Sequence, residues 1–333
     1  MQPAKQKNNA SNIVGVVVAL VFGAVAVWAI LERQMITDRV LASQYTPSAE
    51  MKTIKDQLQL TGKGKFLFDA SQPKIQPASD FNKSCGRRIE TNNPILGCYY
   101  LQRIYVFDVP AKELEGIEQT TAAHELLHAA YERLSDDDRT EINAEIRKVM
   151  RTIETPELQE RMRYYQRTEP GQEFNELFAI LGSEFPSVGA ALERKYAEYF
   201  TSREKVVAFY DKYNTVFTDV KARLNSQKDA INSLTRQTNN AIAAYERNVK
   251  QLDQDIKEFN DQANNGDFSN SNEFNAKRSS LAARQQQINQ ERTRLQQQIA
   301  SIKQLTQNRN KLVEKYNALN ESIDSNVEPA PIL

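Results

Sequence analysis

The chain has 333 residues, with 43 lysines and arginines balanced by 43 aspartates and glutamates. A formal net charge of zero argues against a nucleic-acid-binding protein, which would need a basic surface. The length allows two globular units, or one globular unit and an extended segment.

The first element in chain order is an uncharged apolar run, IVGVVVALVFGAVAVWAIL, over residues 13–31. A helix rises about 1.5 Å per residue, so this run crosses a hydrocarbon core of about 30 Å. A cleaved signal peptide is the alternative, but its apolar region has only about 7–15 residues. We predict a single-pass transmembrane anchor. Because Lys5 and Lys7 precede it, we expect residues 1–12 to be cytoplasmic and residues 32–333 extracytoplasmic.

The two cysteines agree with that compartment. Cys85 and Cys98 both follow the predicted anchor and flank a short loop. An even pair at this spacing is typical of a disulfide in an oxidising environment. We predict a Cys85–Cys98 disulfide, with two buried free thiols as the alternative.

Residues 32–200 are numerous enough to bury one hydrophobic core. A helix is predicted over residues 47–60, with Thr46 as its N-cap and proline at its first position. The aromatic and β-branched runs KFLFDA (65–70) and RIYVFDV (103–109) predict strands on either side of the cysteine loop.

Helical patterns follow the second predicted strand. Apolar spacing, acidic first turns and helix-starting prolines predict five helices. They cover residues 121–134, residues 135–153, a segment from Pro156, a segment from Gln172, and residues 191–210. The fold class is therefore mainly α: an α+β catalytic domain with a small β element.

Residues 201–326 have a different pattern, with apolar residues at alternating spacings of three and four. The pattern is interrupted by NNGDFSNSNEFN at residues 264–275. Two long helices joined by a short loop predict an antiparallel coiled-coil hairpin, followed by a tail over residues 327–333. Pairing between molecules is the alternative, and either arrangement offers a surface for a protein partner.

The chain's only histidines, His124 and His128, stand four residues apart, and Glu125 follows the first. On a helix this spacing places both imidazoles on one face, where they can bind one metal at about 2.0–2.1 Å. Glu125 would lie beside the metal and take a proton from a bound water, whose pKa zinc lowers towards about 7. This is the His-Glu-x-x-His pattern of zinc peptidases. It predicts one zinc ion per chain and Glu125 as general base.

The third protein ligand must be a carboxylate, because the chain has no further histidine, and water would fill the fourth position. The best source is the apolar segment FNELFAILGSE, residues 174–184. It carries Glu176, which we favour, and Glu184, which remains the alternative.

These two segments resemble the thermolysin-like, or gluzincin, metallopeptidases. In that group a helix with His-Glu-x-x-His is followed by a helix with Asn-Glu, whose glutamate is the third ligand. The matches are His124, Glu125 and His128 in HELLH and Glu176 in NELF, within about residues 100–200. The resemblance implies a zinc site built from these residues and hydrolysis of amide bonds.

Two positions depart from the thermolysin pattern. The aspartate found four residues beyond the glutamate ligand, which supports a zinc histidine, is replaced by Ile180. Ser183 lies on nearly the same helical face as Glu176 and is the candidate for that support. The transition-state histidine is also missing, so Tyr164, Tyr165 or an arginine would have to stabilise the oxyanion.

The sequence therefore predicts a membrane-anchored extracytoplasmic zinc peptidase. Its candidate substrates are proteins, short peptides and cell-wall peptides, and nucleic acid is not expected as a partner. The alternative is a non-enzymatic envelope scaffold, in which the coiled-coil hairpin is the working part and the metal site is structural or decayed.

Overall fold

The computed structural model describes residues 32–85, 95–153 and 155–326, and these form a mainly helical protein with one small sheet. The elements are α1 (Arg33–Gln44), α2 (Ala49–Gln57), α3 (Gly62–Ala70), β1 (Lys74–Gln76), α4 (Ala78–Cys85), β2 (Gly97–Tyr100), β3 (Arg103–Phe107), α5 (Ile117–Glu132), α6 (Asp136–Ile153), α7 (Pro156–Thr168), α8 (Glu173–Glu184), α9 (Ala190–Tyr196), α10 (Arg203–Asn265) and α11 (Ser271–Ile323).

The predicted anchor over residues 13–31 lies outside the described residues. Within the ranges that are described, no helix is both long enough and apolar enough to cross a membrane. The predicted segments 1–12 and 327–333 also lie outside them.

The predicted strand over residues 65–70 is wrong, because this segment belongs to helix α3. The Thr61 side chain accepts a hydrogen bond from the Gly64 amide and caps the helix. Leu67 and Phe68 are buried together with Gly64, which gives the helix one apolar side. Aromatic residues that suit a strand are held here in a helix by the cap and the burial of that side.

The predicted helix over residues 47–60 is present as α2, but its N-cap is Ser48 rather than Thr46. The Ser48 side chain accepts a hydrogen bond from the Met51 amide. The predicted helix over residues 191–210 is divided into α9 and α10. Between them, the backbone around Phe200 pairs with residues 59–61, which removes it from a helix.

The sheet has the strand order β1-β3-β2, with β1 parallel and β2 antiparallel to β3. The predicted strand over residues 103–109 is confirmed as β3, whereas β1 and β2 were not predicted. The disulfide between Cys85 and Cys98 is confirmed and joins the end of α4 to β2. It is buried with Phe81 and Phe107 in a small apolar cluster.

The main core surrounds α5, which is buried on nearly all sides, as expected of a central helix. Helix α8 packs against it. The side chains with no exposed surface in this core include Leu126, Leu127, Phe178, Ile180, Leu181 and Tyr196.

The chain divides into two compact units, and the second comprises residues 217–320. Within it, the arms from α10 and α11 pair in antiparallel fashion: the Phe217 ring lies against Tyr316, and Arg284 forms an ion pair with Asp255. The predicted hairpin is thus formed within one chain. Its loop, between Asn265 and Ser271, falls inside the predicted interruption.

A buried ion pair connects α1 to the end of α5. Asp38 is only 3% exposed and accepts two hydrogen bonds of 2.8 Å from the Arg133 guanidinium. Arg133 also donates to the Tyr99 hydroxyl in β2 and to the Ala129 carbonyl. One arginine therefore holds α1, β2 and α5 together.

We expect Asp38→Asn to lower the free energy of unfolding by roughly 3 kcal/mol, because it leaves the buried Arg133 charge without its partner. The matched control is Asp80→Asn, which removes an exposed ion pair with Lys83 and should change stability by less than about 1 kcal/mol. Urea unfolding followed by near-ultraviolet circular dichroism measures both. Equal stability of the two variants would contradict the structural role of Asp38.

Candidate metal centre

Helix α5 positions the predicted motif. His124 and His128 are one turn apart, and their rings meet edge to face with centroids 4.8 Å apart. The helix begins after Gly116, and the hydroxyls of Thr120 and Thr121 bond back to carbonyls of its first turn. Burial of the surrounding Ala and Leu side chains fixes the rotation of α5, so that its imidazoles face α8.

Helix α8 supplies the opposite wall. Its close approach to α5 requires a glycine, because a Cβ at Gly182 would lie 2.4 Å from Leu127 Cδ1. Arg203, the first residue of α10, secures the same end of α8. It is 7% exposed, pairs with Glu193 and donates to the carbonyl of Phe185 at the end of α8. The sequence pattern had not indicated this role of Arg203.

Three side chains converge between the two helices: His124, His128 and Glu176 form a group that could hold a metal ion. The two Nε2 atoms are 3.1 Å apart, and Glu176 oxygens lie 3.6 Å from His128 Nε2 and 3.9 Å from His124 Nε2. Ligands of a tetrahedral ion at 2.0–2.1 Å are separated by about 3.3 Å. The donor set therefore fits a metal in both chemistry and spacing.

Burial strengthens this interpretation. The Glu176 side chain is 6% exposed, and a buried carboxylate requires a cation or a protonated neighbour. Burial, with the charges of His128 and Arg161, holds the pKa of His124 well below its usual range. Burial would also lower the pKa of His128, but the Glu176 and Glu125 carboxylates outweigh it and raise that pKa. The Glu176 carboxylate can therefore be neutralised either by a protonated His128 or by a metal ion.

The remaining ring nitrogens have partners that orient the imidazoles. His128 Nδ1 lies 2.9 Å from Asn175 Oδ1, and His124 Nδ1 lies 3.4 Å from Ser183 Oγ. An amide oxygen only accepts, so His128 carries its proton on Nδ1 and presents the Nε2 lone pair to the metal position. Ser183 donates to the Ala179 carbonyl and can accept from His124. Ser183 was expected beside the site, whereas Asn175 was not.

The two candidate third ligands have different partners in the structure. Glu176 belongs to the group, whereas Glu184 accepts a 2.8 Å hydrogen bond from Arg161. Glu184 lies two turns further along α8, where the ion pair occupies its carboxylate. The alternative assignment of Glu184 as a metal ligand is therefore not supported.

Glu125 is buried on α5 and packs against the start of β2. A Cβ at Gly97 would lie 2.7 Å from Glu125 Oε1 and 2.5 Å from Thr121 Cγ2. Only glycine lets the strand pass this close to the carboxylate. The strand backbone thereby limits the positions open to the Glu125 side chain.

The two tyrosines predicted as oxyanion stabilisers differ in their surroundings. Tyr165 hydrogen-bonds to Arg161, and burial together with the Glu176 charge raises its pKa despite the nearby guanidinium. Its hydroxyl is therefore a neutral donor. Tyr164 stacks edge-on against the Tyr165 ring. Tyr165 therefore has an electrostatic link to the site through Glu176.

Two further tyrosines near Arg161 and Glu184 come from the first turns of α10, a contribution that sequence reasoning missed. Tyr210 hydrogen-bonds to Glu184, and its ring meets that of Tyr213 at a centroid distance of 5.4 Å. Burial and the Glu184 carboxylate raise the pKa values of both hydroxyls.

Comparison with known proteins finds no match: no protein family, curated protein or solved structure is significantly similar to this chain.

We expect Glu176→Gln to weaken metal binding by more than about 100-fold, because loss of a ligand should exceed the 10–100-fold effect of losing a supporting contact. Glu184→Gln is the matched control on the same helix and should bind metal like the original chain. Competition against a chromophoric chelator, with Zn²⁺ and Co²⁺ as probes, measures the affinities. Tight metal binding by Glu176→Gln with weak binding by Glu184→Gln would instead assign Glu184 as the ligand.

Removing the orienting contact to His128 should have a smaller effect. We expect Asn175→Ala to weaken metal binding by about 10–100-fold. Ser183→Ala should cost less affinity, because its contact with His124 is longer, at 3.4 Å. The same chelator titration tests both variants. An unchanged affinity in Asn175→Ala would show that the hydrogen bond does not support the ligand.

Proposed function

We propose that this chain is a membrane-anchored, extracytoplasmic zinc-dependent peptidase. The observation that carries the proposal is the convergence of His124, His128 and Glu176, with the Glu125 carboxylate near enough to His128 to raise the pKa of that imidazole. The apolar run over residues 13–31 supports the anchor. The Cys85–Cys98 disulfide supports an oxidising compartment outside the cytoplasm.

Zinc suits a donor set of two imidazoles and one carboxylate. Among the described residues, this group contains three ligands and no fourth His, Cys, Asp or Glu. Three protein ligands with a position left for water are typical of catalytic rather than structural zinc sites. Zinc bound there would polarise the scissile carbonyl and lower the pKa of its water.

Glu125 is the proposed general base. Its position directly after His124 on α5 places it beside the metal ligands, and the close passage of Gly97 restrains its carboxylate. In this reaction Glu125 accepts a proton from the attacking water and then delivers it to the leaving amine. The peptide bond breaks to give a carboxylate and a free amine.

Tyr165 and Arg161 are the proposed stabilisers of the oxyanion. The hydroxyl of Tyr165 remains protonated, and the Glu176 charge acts on it from within the site. The Arg161 guanidinium is held by Glu184 through a 2.8 Å hydrogen bond. Fixed donors of this kind stabilise negative charge that develops on the carbonyl oxygen.

The decisive variant is Glu125→Gln. We expect it to retain zinc and to lose at least about 100-fold in hydrolysis, the usual range for removal of a general base. Glu132→Gln, an exposed position at the end of the same helix, is the matched control and should retain full activity. Denatured casein and a library of quenched fluorescent peptides serve as substrates, and elemental mass spectrometry gives the zinc content.

Two outcomes would contradict the proposal in different ways. Full hydrolysis by Glu125→Gln would show that another residue is the base. A zinc-loaded original chain that cleaves none of these substrates would favour the scaffold function, in which the hairpin is the working part.

A further inference from the structure

The turn between β2 and β3 is built from residues that do not suit its backbone. Leu101 and Gln102 have φ values of +49° and +61°, and both stand in a two-residue hairpin turn. Turns of this type favour asparagine and glycine, because left-handed backbone is unfavourable for larger side chains. Non-glycine residues in this region are uncommon, and strained backbone of this kind clusters at functional sites.

Leu101 is also the most exposed large apolar side chain among the described residues, at 76%. Tyr100 precedes it and is 39% exposed, and its register partner across the hairpin is Arg103. An exposed leucine flanked by tyrosine and arginine has the composition of a lipid–water interface, where aromatic rings and long basic side chains lie at the headgroup level.

The turn lies close in space to the segment that follows the predicted anchor. Gln102 Nε2 donates a 3.0 Å hydrogen bond to Gln34 Oε1 in the first turn of α1. Gln34 stands three residues after Leu31, where the apolar run ends. The hairpin turn therefore lies beside the point at which the proposed anchor meets the globular unit.

A second set of contacts in the same unit also holds the turn against α1. Arg133 bonds to Asp38 in α1 and to the Tyr99 hydroxyl in β2. The turn is thus held against α1 by Gln34 at its tip and by Arg133 along its strand. Movement of the turn away from the start of α1 would break its hydrogen bond to Gln34 and the bond between Arg133 and Tyr99.

We propose that the turn from Tyr100 to Arg103 contacts the lipid bilayer, with the Leu101 side chain inserted at the interface. The inference rests on the anchoring part of the proposed function and is independent of the peptidase activity. The turn gives the globular unit a second contact with the bilayer beside its anchor. Through β2 it connects that surface to Gly97, the strand residue packed on Glu125.

The chain offers a direct probe, because Trp28 is its only tryptophan. In the full-length chain, Trp28→Phe removes that signal, and Leu101→Trp places a single tryptophan at the turn. Ile299→Trp in the same background, at an exposed apolar position in the second unit, reports separately on that unit. Each protein is reconstituted into phosphatidylcholine–phosphatidylglycerol vesicles that contain lipids brominated at shallow or deep positions.

We expect lipids brominated at shallow positions to quench Leu101→Trp several-fold more than lipids brominated at deep positions. Quenching of Leu101→Trp no stronger than that of a water-soluble tryptophan analogue in the same vesicles would overturn the proposal. A blue-shifted emission from Leu101→Trp without bromine quenching would mean that protein covers the turn, and would overturn it too.

Vesicle flotation of the same samples separates this inference from the function on which it rests. Chains that float but show no quenching at residue 101 refute only the turn contact. Chains that do not float refute the anchor, and the turn contact with it. Peptide hydrolysis and zinc content, measured on the same preparations, report on the active site independently of both.

Discussion

The candidate metal centre depends on three polar side chains held between α5 and α8. His128 and Glu176 are buried and His124 is partly buried, so an imidazole or carboxylate without a partner there would be strongly destabilising. Their ligand atoms converge on a single point, and Asn175 and Ser183 contact the outward nitrogens of the two rings. The close packing of the two helices is therefore inseparable from the polar chemistry at their interface.

The elements around these helices serve to hold that interface in place. On one side Gly182 allows α8 to approach Leu127, and Arg203 binds the end of α8. On the other side Gly97 lets β2 pass against Glu125, while the disulfide at Cys98 and the Arg133 hydrogen bond at Tyr99 fix that strand. The small sheet and helix α1 thus restrain the carboxylate that we propose as the base.

Much of the candidate metal centre could be predicted from the sequence, and the predictions that failed did so for physical reasons. The spacing of His124 and His128 predicted one helical face, and the acids of residues 174–184 narrowed the third ligand to two. Periodicity alone could not choose between them. The choice depends on Arg161, a residue from another helix that pairs with Glu184.

Local propensity misassigned α3 because aromatic residues suit strands, whereas a threonine cap and burial made this segment helical. Strand β2 is only four residues long, and its pairing with β3 across a turn of leucine and glutamine carried no ordinary turn signal. The support from Asn175 could have been suspected from its place directly before Glu176. The long-range contacts of Arg203 and Arg133 leave no local pattern, since their partners are distant in the chain.

The central claim is that two histidines and one carboxylate bind a single metal ion. X-ray absorption spectroscopy at the zinc edge, on the full chain loaded with one equivalent of zinc, tests it most directly. The account predicts two imidazole nitrogens and oxygen donors at about 2.0–2.1 Å, and no sulfur. A spectrum with fewer than two imidazoles, or a chain that takes up no zinc, would contradict it.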